Sequence, residues 1–260
     1  MTSFLPKVSV IVTTYNRADL LRETVDSILG QTFRDLELIV VDNYSRDGTA
    51  DYLNSIPDGR LRHTRNANNG VIAVNRNLGI TLARGEYVAF CDDDDEWKPD
   101  KLRLQVELMD SQPELALSYT NAETFRSGEV LSHRMIRRRV VRNHFSALLR
   151  GNFIPNSSVL VRRSVFEEIG LLSIDGTLRE DYEMWLRVSS QFPLAGIDQP
   201  LIRYRVHSTN IASNRATETL RAIRTLRSVS ELLNLPAWIF LPNAAFQFLK
   251  YMAYRLSQIR

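Results

Sequence analysis

The amino-acid sequence predicts an α/β protein in which helices cover both faces of a mostly parallel central sheet. Strand-like and helix-like segments alternate from residue 7 to residue 90, a pattern typical of parallel strands joined by right-handed helical crossovers. The strand-like segments are almost continuously apolar, as expected for strands that are buried on both faces. Polar residues follow several of these strands, and open α/β sheets bind their ligands at the carboxyl ends of strands.

The first predicted unit combines a strand at Lys7–Thr13 with an amphipathic helix. Asn16 offers an N-cap, apolar residues recur at helical spacing as far as Leu29, and Gly30 ends the helix. Leu36–Val41 is the second predicted strand. The remaining elements of this half are a short helix ending at Ile56, a weak strand at Leu61–Thr64, a helix from Val71 to about Arg84, and a strand at Tyr87–Phe90.

The second half continues the alternation with less regular spacing. An apolar stripe at helical spacing runs from Leu178 to Val188, and we assign it to core packing. The other predicted elements are a helix from Pro99 to about Asp110, strands at Leu115–Thr120 and Ser157–Val161, and edge strands at Ala195–Ile197 and Leu201–Val206.

Two segments are predicted to differ from this layered core. Arg126–Arg150 is rich in arginine and contains a single acid, Glu129, which favours an exposed arm or lid, although a solvated basic face has the same composition. The chain beyond Ala216 is predicted to be helical and basic. Its charge-free run from Leu232 to Leu249 is interrupted by prolines and amides, so it is unsuited to span a bilayer.

The segment 232–260 has two predicted locations. Its aromatic residues lie beside Lys250, Arg255 and Arg260, a combination that suits peripheral contact with an anionic membrane interface. The alternative is a helical hairpin that packs on the domain itself or on the second subunit of a homodimer.

Composition indicates a globular protein of the cytoplasm. The 260 residues are 44% hydrophobic and 24% charged, so the chain can bury the core of one large domain or of two fused halves. The single cysteine, Cys91, allows no internal disulfide, and no signal peptide is recognisable before the first predicted strand. We therefore expect a cytoplasmic protein, which would lie on the inner face of the plasma membrane if its basic end binds lipid.

Four consecutive aspartates, Asp92–Asp95, follow the Tyr87–Phe90 strand. They cannot pack together in a core, because each buried and unpaired carboxylate costs several kcal/mol or takes up a proton. Hard cations such as Mg²⁺ and Mn²⁺ prefer oxygen ligands, and Mg²⁺ is commonly bound by one or two carboxylates plus substrate phosphates. A solvated acidic turn is the alternative, but the position at a strand end favours a cation site.

Two other strand ends are polar, at Thr13–Tyr15 and at Asp42–Asn43. Polar ends on neighbouring strands are better explained by a shared ligand than by separate turns. A dinucleotide fold would require Gly-x-Gly-x-x-Gly after the first strand, but that position has no glycine, and no Gly-x-x-x-x-Gly-Lys-Ser/Thr phosphate loop occurs. We therefore expect a nucleotide whose phosphates are bound through a metal.

Glu180 and Asp181 fall near the start of the helix that carries the Leu178–Val188 stripe. The helix dipole favours carboxylates in a first turn, so capping alone could explain them. Capping does not require two acids, which favours a catalytic role.

Short motifs along residues 1–210 form a recognisable pattern. The motifs are Val8–Arg17, Asp42–Thr49, Asn69–Gly70, Asn75–Asn77, Gly85–Tyr87, the aspartate run with Trp97, Pro99 and Lys101–Leu102, and Glu180–Asp181. With these motifs the chain resembles the glycosyltransferase family 2 enzymes, inverting transferases of the GT-A fold that use nucleotide-sugar donors. Each motif alone is weak, but their order and spacing together are specific. The family often has a second acid after Asp42, where this chain has Asn43.

The resemblance implies a domain organisation and an activity. A GT-A catalytic domain would occupy residues 1–212, with a nucleotide-sugar-binding half at 1–100 and an acceptor half at 101–212, and a helical extension would follow at 213–260. The enzyme would transfer a hexose to an acceptor hydroxyl with Mn²⁺ or Mg²⁺ as cofactor. The expected acceptor is a carbohydrate or a lipid-linked saccharide in bacterial surface polysaccharide or glycolipid synthesis.

The resemblance also implies roles for residues on the donor side. Thr13, Tyr15 and Asp42 would hold the base and the ribose of the nucleotide. Arg76 would reach the base or the phosphates.

The acidic residues would divide between donor and acceptor. Asp93 would bind the ribose or the sugar and Asp94 would coordinate the metal, although a run of four aspartates leaves this alignment open by one residue. Asp181 would be the general base, and Asp92 and Glu180 are expected to contact substrate beside them.

Two other functions fit part of the sequence. A sugar-nucleotide nucleotidyltransferase also uses acidic residues and a metal on an α/β fold, but the glycine-rich, basic N-terminal loop that it usually needs is missing. A non-catalytic module could bind a membrane or nucleic acid through the basic second half. An acidic cleft beside that surface makes nucleic acid an unsuitable partner.

Overall fold

In the computed structural model, which describes residues 5–133, 135, 143–206 and 215–257, the strands form one nine-stranded sheet. The strands are β1 Val8–Thr14, β2 Leu36–Asp42, β3 Leu61–Arg65, β4 Tyr87–Asp92, β5 Glu96–Trp97, β6 Leu117–Arg126, β7 Glu129–Ser132, β8 Leu160–Arg162 and β9 Leu194–Arg205. They lie in the order β3-β2-β1-β4-β8-β6-β9-β5, and β7 pairs with β6.

Helices cover both faces of this sheet. They are α1 Ala18–Leu29, α2 Thr49–Ser55, α3 Ile72–Leu82, α4 Lys101–Ser111, α5 His144–Leu149, α6 Ser164–Ile169, α7 Glu180–Gln191, α8 Arg215–Leu232 and α9 Ala237–Ser257. Apolar residues of α1, α2 and α4 form one buried cluster against the sheet, and those of α3 and α5 to α8 form another.

The strand β1 shows why the sequence pattern is continuous rather than alternating. Val8, Val10 and Val12 pack into the cluster on one face, whereas Ile11 packs into the cluster on the other face. All four side chains are at most 1% exposed. The prediction of a sheet buried on both faces is therefore confirmed.

The strands β1 to β4 are parallel, and their polar carboxyl ends lie at one edge of the sheet. Thr13 of β1 is in register with Asp92 of β4, and Thr14 is in register with Asp42 of β2. Strand ends that are distant in sequence are therefore neighbours in space, as the sequence predicted.

The second half of the sheet is mixed. β8 runs antiparallel between β4 and β6, whereas β6 and β9 are parallel. The prediction of two edge strands after Ala195 was wrong, because Leu194–Arg205 forms one strand that is paired on both sides by β6 and β5. The pairing shifts in register near Pro200, a residue without an N–H, so the strand bends there without ending.

The start of α1 also differs from the prediction. Asn16 does not cap this helix: its backbone has a positive φ of 52°, and its side-chain oxygen accepts a hydrogen bond from the backbone N–H of Arg46 at 2.7 Å. Asp47 instead accepts a hydrogen bond from the backbone N–H of Ala18 at 3.0 Å. The loop after β2 thus supplies the carboxylate that the start of α1 uses.

The arginine-rich segment predicted as an arm or lid is described only in part. Glu129–Ser132 pairs with β6, and His144–Leu149 packs against α7 through Leu148 and Leu149. Residues 134 and 136–142 lie outside the described residues.

The two C-terminal helices pack on the same face as α7. Ala222, Leu226 and Val229 of α8 are buried in the cluster that contains Trp185. Among the helices that the structure describes, none combines the length and the apolar character that crossing a bilayer requires.

A buried lysine at the start of α4 makes the stability of the fold depend on pH. The side chain of Lys101 is 0% exposed, its Nζ donates to Gln105 Oε1 at 2.7 Å, and it lies 3.8 Å from the centre of the Trp97 ring. The ring face favours the ammonium form, but complete burial outweighs it and lowers the pKa of Lys101 to about 7.

We predict that the free energy of unfolding rises with pH above pH 7 because of Lys101. The unfolded chain keeps this lysine protonated up to its ordinary pKa near 10.5, whereas the folded chain releases the proton above its lowered value. The rise should reach ~1.4 kcal/mol per pH unit, and Lys101→Met should remove it. Urea unfolding at pH 7, 8 and 9 measures both slopes, and parallel curves for the two proteins would contradict the prediction.

Candidate active site

A cleft of about 180 Å³ opens at the carboxyl ends of β1 and β4 and extends to the start of α7. This volume is below the range of roughly 300–1,000 Å³ that encloses a drug-sized ligand, so a ligand of that size would extend beyond the cleft. The lining residues are Thr13, Arg17, Ile72, Arg76, Asp92, Asp93, Asp94, Asn156, Arg179, Glu180, Asp181, Tyr204, Glu218 and Arg221.

Most of the residues selected from the sequence meet in this cleft. Tyr15 and Asp42 are the exceptions: the Tyr15 side chain is 53% exposed, and Asp42 is buried at the end of the neighbouring strand β2. The selected residues that line the cleft are Thr13, Arg76, Asp92, Asp93, Asp94, Glu180 and Asp181.

Arg76 joins the strand-end acids to the start of α7. Its guanidinium donates to Asp92 Oδ1 at 2.7 Å and to Glu180 Oε1 at 2.6 Å, and the residue is 5% exposed. Burial raises the pKa of Glu180, although the charge of Arg76 opposes that rise. Gly79 allows helix α3, which carries Arg76, to pack this closely on the sheet. A Cβ at this position would lie 2.5 Å from a methyl group of Ile11, so only glycine fits there.

Asp93 and Asp94 share a second arginine. Arg17 Nη1 lies 3.0 Å from Asp93 Oδ1 and 3.0 Å from Asp94 Oδ2, and the Thr14 hydroxyl donates to Asp93 Oδ2 at 2.8 Å. Burial raises the pKa of Asp93 to about 6, while the adjacent guanidinium opposes the rise. Two carboxylates that already converge on one cation form a donor set suited to a hard metal ion.

The residues present fit a metal that also takes ligands from its substrate. No group of three or more His, Cys, Asp or Glu side chains arranged to hold a metal occurs in the part of the chain that the structure describes. Mg²⁺ commonly binds through one or two carboxylates together with substrate phosphates, and Asp94 with its neighbour Asp93 could supply such carboxylates.

The fourth aspartate of the run does not belong to the cleft. Asp95 is 1% exposed and accepts hydrogen bonds from the Ser157 hydroxyl at 2.6 Å and from the backbone N–H of Arg205 at 2.9 Å. Burial and the neighbouring acids raise the pKa of Asp95 well above its usual value. Asp95 therefore supports the fold, and Asp92 to Asp94 face the cleft.

Asp181 lies in the first turn of α7, and its carboxylate is oriented by an asparagine. Asn152 Nδ2 donates to Asp181 Oδ2 at 3.0 Å. The adjacent Glu180 pairs with Arg76 and lies 3.9 Å from Arg221 Nη2. Both carboxylates therefore contact side chains from other elements, which helix capping alone does not require.

A family model described as Glycosyl transferase family 2 matches residues 9–170. The chain belongs to glycosyl transferase family 2. It is therefore a glycosyltransferase, as the resemblance implied, and membership decides against a nucleotidyltransferase and against a non-catalytic module.

Relatives match this glycosyltransferase over most of its length. It is 31% identical over 228 residues to the Escherichia coli UDP-Glc:alpha-D-GlcNAc-diphosphoundecaprenol beta-1,3-glucosyltransferase WfaP, covering 85% of this chain and 86% of the relative. It is 32% identical over 248 residues to TuaG of Bacillus subtilis, a glycosyltransferase named for teichuronic acid biosynthesis, covering 94% of this chain and 97% of the relative.

A solved structure has the same fold. The mannosyltransferase PcManGT from Pyrobaculum calidifontis, in complex with GDP-Man and Mn²⁺, superposes with a TM-score of 0.67 at 21% identity. The match covers 96% of this chain and 76% of that chain. The prediction of a GT-A fold for this glycosyltransferase is confirmed.

Several residues of the cleft were not assigned a role from the sequence of the glycosyltransferase. Arg17 lies within the first motif, so the sequence pattern includes it. Nothing in the sequence indicated that it pairs with the aspartates. Asn156, which lines the cleft, and Asn152, which binds Asp181, lie in a segment that has no periodic signal in the sequence. Glu218 and Arg221 come from α8, which the sequence placed in an extension outside the catalytic domain.

We predict that Arg76→Met lowers the free energy of unfolding of this glycosyltransferase by about 3–5 kcal/mol. The substitution leaves the Asp92 and Glu180 carboxylates without their buried partner, and breaking a buried ion pair carries a cost of that size. Urea unfolding followed by tryptophan fluorescence measures the change.

Two further variants make this prediction specific. Arg76→Met combined with Glu180→Gln should recover part of the loss, because one of the unpaired charges is removed. Arg103→Met, which breaks ion pairs whose side chains are 43% to 59% exposed, should change stability by less than about 1 kcal/mol. A loss at Arg76 as small as that at Arg103 would contradict the assignment of a buried link.

Proposed function

We propose that this glycosyltransferase moves a hexose from a nucleoside-diphosphate sugar to an acceptor hydroxyl, with inversion at the anomeric carbon and with a divalent metal. The observation that supports this most is the shared cleft: Asp92–Asp94 and Glu180–Asp181 line the same cavity although about ninety residues separate them. Inverting transfer needs a metal site on the leaving-group side and a base on the acceptor side, and these two acidic groups supply the required residue types.

The base and the ribose of the donor are proposed to bind at the ends of β1 and β2. Thr13 lines the cleft there, and Tyr15 and Tyr44 each expose 53% of their surface nearby in sequence. Asp42 Oδ1 accepts hydrogen bonds from the backbone N–H and the hydroxyl of Ser45, which hold its carboxylate in place. Asp42 Oδ2 accepts a hydrogen bond from Arg65 Nε at 3.2 Å, and an N–H of the base would add a further hydrogen bond to this carboxylate.

The diphosphate is proposed to bind beside Asp94. A divalent cation held there would neutralise the charge that develops on the departing phosphate. The solved relative that contains GDP-Man and Mn²⁺ supports this choice of cofactor. Arg17, which pairs with Asp93 and Asp94, would be released to bind the diphosphate when another cation takes its place between the carboxylates.

Asp181 is proposed to be the general base. Its carboxylate would take the proton of the acceptor hydroxyl while the new C–O bond forms and the bond between the sugar and the diphosphate breaks. Asn152 would act as a positioning residue, because it holds one oxygen of Asp181 and leaves the other available to the acceptor.

The acceptor is proposed to be a lipid-linked saccharide of a bacterial surface polysaccharide. The names of two relatives support this: one acts on a GlcNAc-diphosphoundecaprenol, and the other is named for teichuronic acid biosynthesis. Such an acceptor would bring the enzyme to the cytoplasmic face of the plasma membrane.

We predict that Asp181→Asn lowers kcat by about 10²–10⁴-fold while the Kd for the donor changes little. The amide cannot accept the proton, but the donor contacts lie on other elements. Screening a panel of UDP-, GDP- and dTDP-sugars by thermal shift with Mn²⁺ identifies the donor. Transfer is then measured as the amount of nucleoside diphosphate released. Asp19→Asn, an exposed acid in the first turn of α1, is the matched control. Turnover of Asp181→Asn at the wild-type rate would rule out this base.

We predict that Asp94→Asn weakens donor binding only when metal is present. The amide removes one negative ligand, so the gain in donor affinity that Mn²⁺ gives the wild type should fall by about tenfold or more. Calorimetric titration of the donor with Mn²⁺ and with EDTA measures both affinities. Asp100→Asn, on the exposed start of α4, should behave as the wild type, and an unchanged metal dependence for Asp94→Asn would contradict the assignment.

A further inference from the structure

Helix α9 exposes an entirely apolar stripe. The exposed positions recur three and four residues apart, so they lie on one side of the helix. Three of them are strongly exposed: Trp238 at 75%, Leu249 at 67% and Leu241 at 58%. The stripe consists of Trp238, Leu241, Ala245, Phe248, Leu249 and Met252.

The side of α9 that faces the protein carries two polar residues as well as Ile239 and Phe240, which pack against the core. Gln247, nine residues after Trp238 and therefore opposite the stripe, is 4% exposed, and its Nε2 donates to the backbone oxygen of Arg150 at 2.8 Å. Asn243 is half-buried on the same side, and its Nδ2 donates to the backbone oxygen of Ile239 at 2.8 Å. The exposed side of α9 is therefore at least as apolar as the side that faces the protein, unlike that of a helix that faces water.

A stripe of this kind marks a contact surface. Soluble proteins rarely leave large contiguous apolar patches in water, because burying apolar surface is favourable by about 25 cal/mol per Å². Single exposed apolar residues such as Ile174 need no partner, but six on one helix face do.

We propose that α9 lies in the interface of an anionic membrane, with the stripe among the lipid chains. The chain contains no acidic residue after Glu231, whereas Lys250, Arg255 and Arg260 are basic, so its charge complements an anionic headgroup layer. No described helix, α9 included, is both long and apolar enough to cross the bilayer, which leaves binding in the plane of the interface.

A second copy of this chain fits the stripe less well than lipid. Two α9 helices that paired through their stripes would bring two acid-free and basic segments together, and like charges would then repel across the contact. Anionic lipid supplies the opposite charge as well as apolar chains.

This orientation would place the acceptor side of the cleft close to the membrane. Gln247 of α9 binds the backbone of Arg150, and two residues later Asn152 binds Asp181. A lipid-linked acceptor held in the bilayer would therefore approach the proposed base from the side on which α9 anchors the enzyme. This last step rests on the proposed function, whereas membrane binding itself does not.

Vesicle flotation with the full chain tests the proposal without any sugar substrate. The wild type should bind vesicles of phosphatidylglycerol and phosphatidylcholine, and binding should weaken at high salt or with phosphatidylcholine alone. Phe248→Ser with Leu249→Ser should weaken binding by about tenfold or more, since each loses apolar surface from the interface. Leu5→Ser with Ile174→Ser is the matched control, because these side chains are 65% and 62% exposed elsewhere, and it should bind as the wild type.

Tryptophan fluorescence gives a second, site-specific readout. Trp97 and Trp185 are 4% and 0% exposed, so a blue shift on adding vesicles reports Trp238, and Trp238→Phe should abolish the shift. The proposal is overturned if the wild type does not float with anionic vesicles, or if the stripe variant floats equally well. It is also overturned if Trp238 is shielded from water before vesicles are added, in a dimer that the double variant Phe248→Ser with Leu249→Ser dissociates. None of these results would affect transfer to a soluble acceptor, so they leave the proposed function to its own tests.

Discussion

The buried guanidinium of Arg76 holds together the two parts of the chain that form the cleft. It comes from α3 and binds Asp92 at the end of β4 and Glu180 at the start of α7. The Asp92 and Glu180 side chains are 33% and 15% exposed, so without a cation between them their charges would repel and each would bear the cost of its lost hydration. The position of the proposed base next to the strand-end acids depends on this ion pair.

The first part of the sheet could be predicted from the sequence because its signals are local. β1, β2 and β4 are apolar runs that end in polar residues, and parallel strands bring such ends together. The aspartate run gave Asp92, Asp93 and Asp94, but only the three-dimensional contacts of Asp95 with Ser157 and Arg205 separate the fourth acid from the cleft. A run of identical residues does not show which of its side chains point into the core.

The other features of the fold and of the cleft depend on contacts between segments that are distant in the sequence, and no local pattern encodes such contacts. β9 was predicted as two edge strands, yet pairing with β6 continues past the shift in register near Pro200. Asn152 carries no helix or strand signal, and it meets Asp181 only after α5 and α7 pack together. Arg221 lies on a helix that was predicted to belong to an extension outside the catalytic domain, whereas α8 is packed on the core and reaches the cleft.

In the proposed mechanism, the donor binds to the first part of the chain, and the base that activates the acceptor lies in the later part. The donor-side residues lie between Thr13 and Asp94, whereas the proposed base and the proposed membrane helix lie beyond residue 170, where the family model ends. A crystal structure with Mn²⁺ and a non-reactive nucleoside-diphosphate sugar tests this arrangement most directly. The account predicts a metal bonded to Asp94, with the anomeric carbon in the cleft and Asp181 on the face away from the diphosphate. A donor bound outside the cleft, or Asp181 on the same face as the diphosphate, would contradict it.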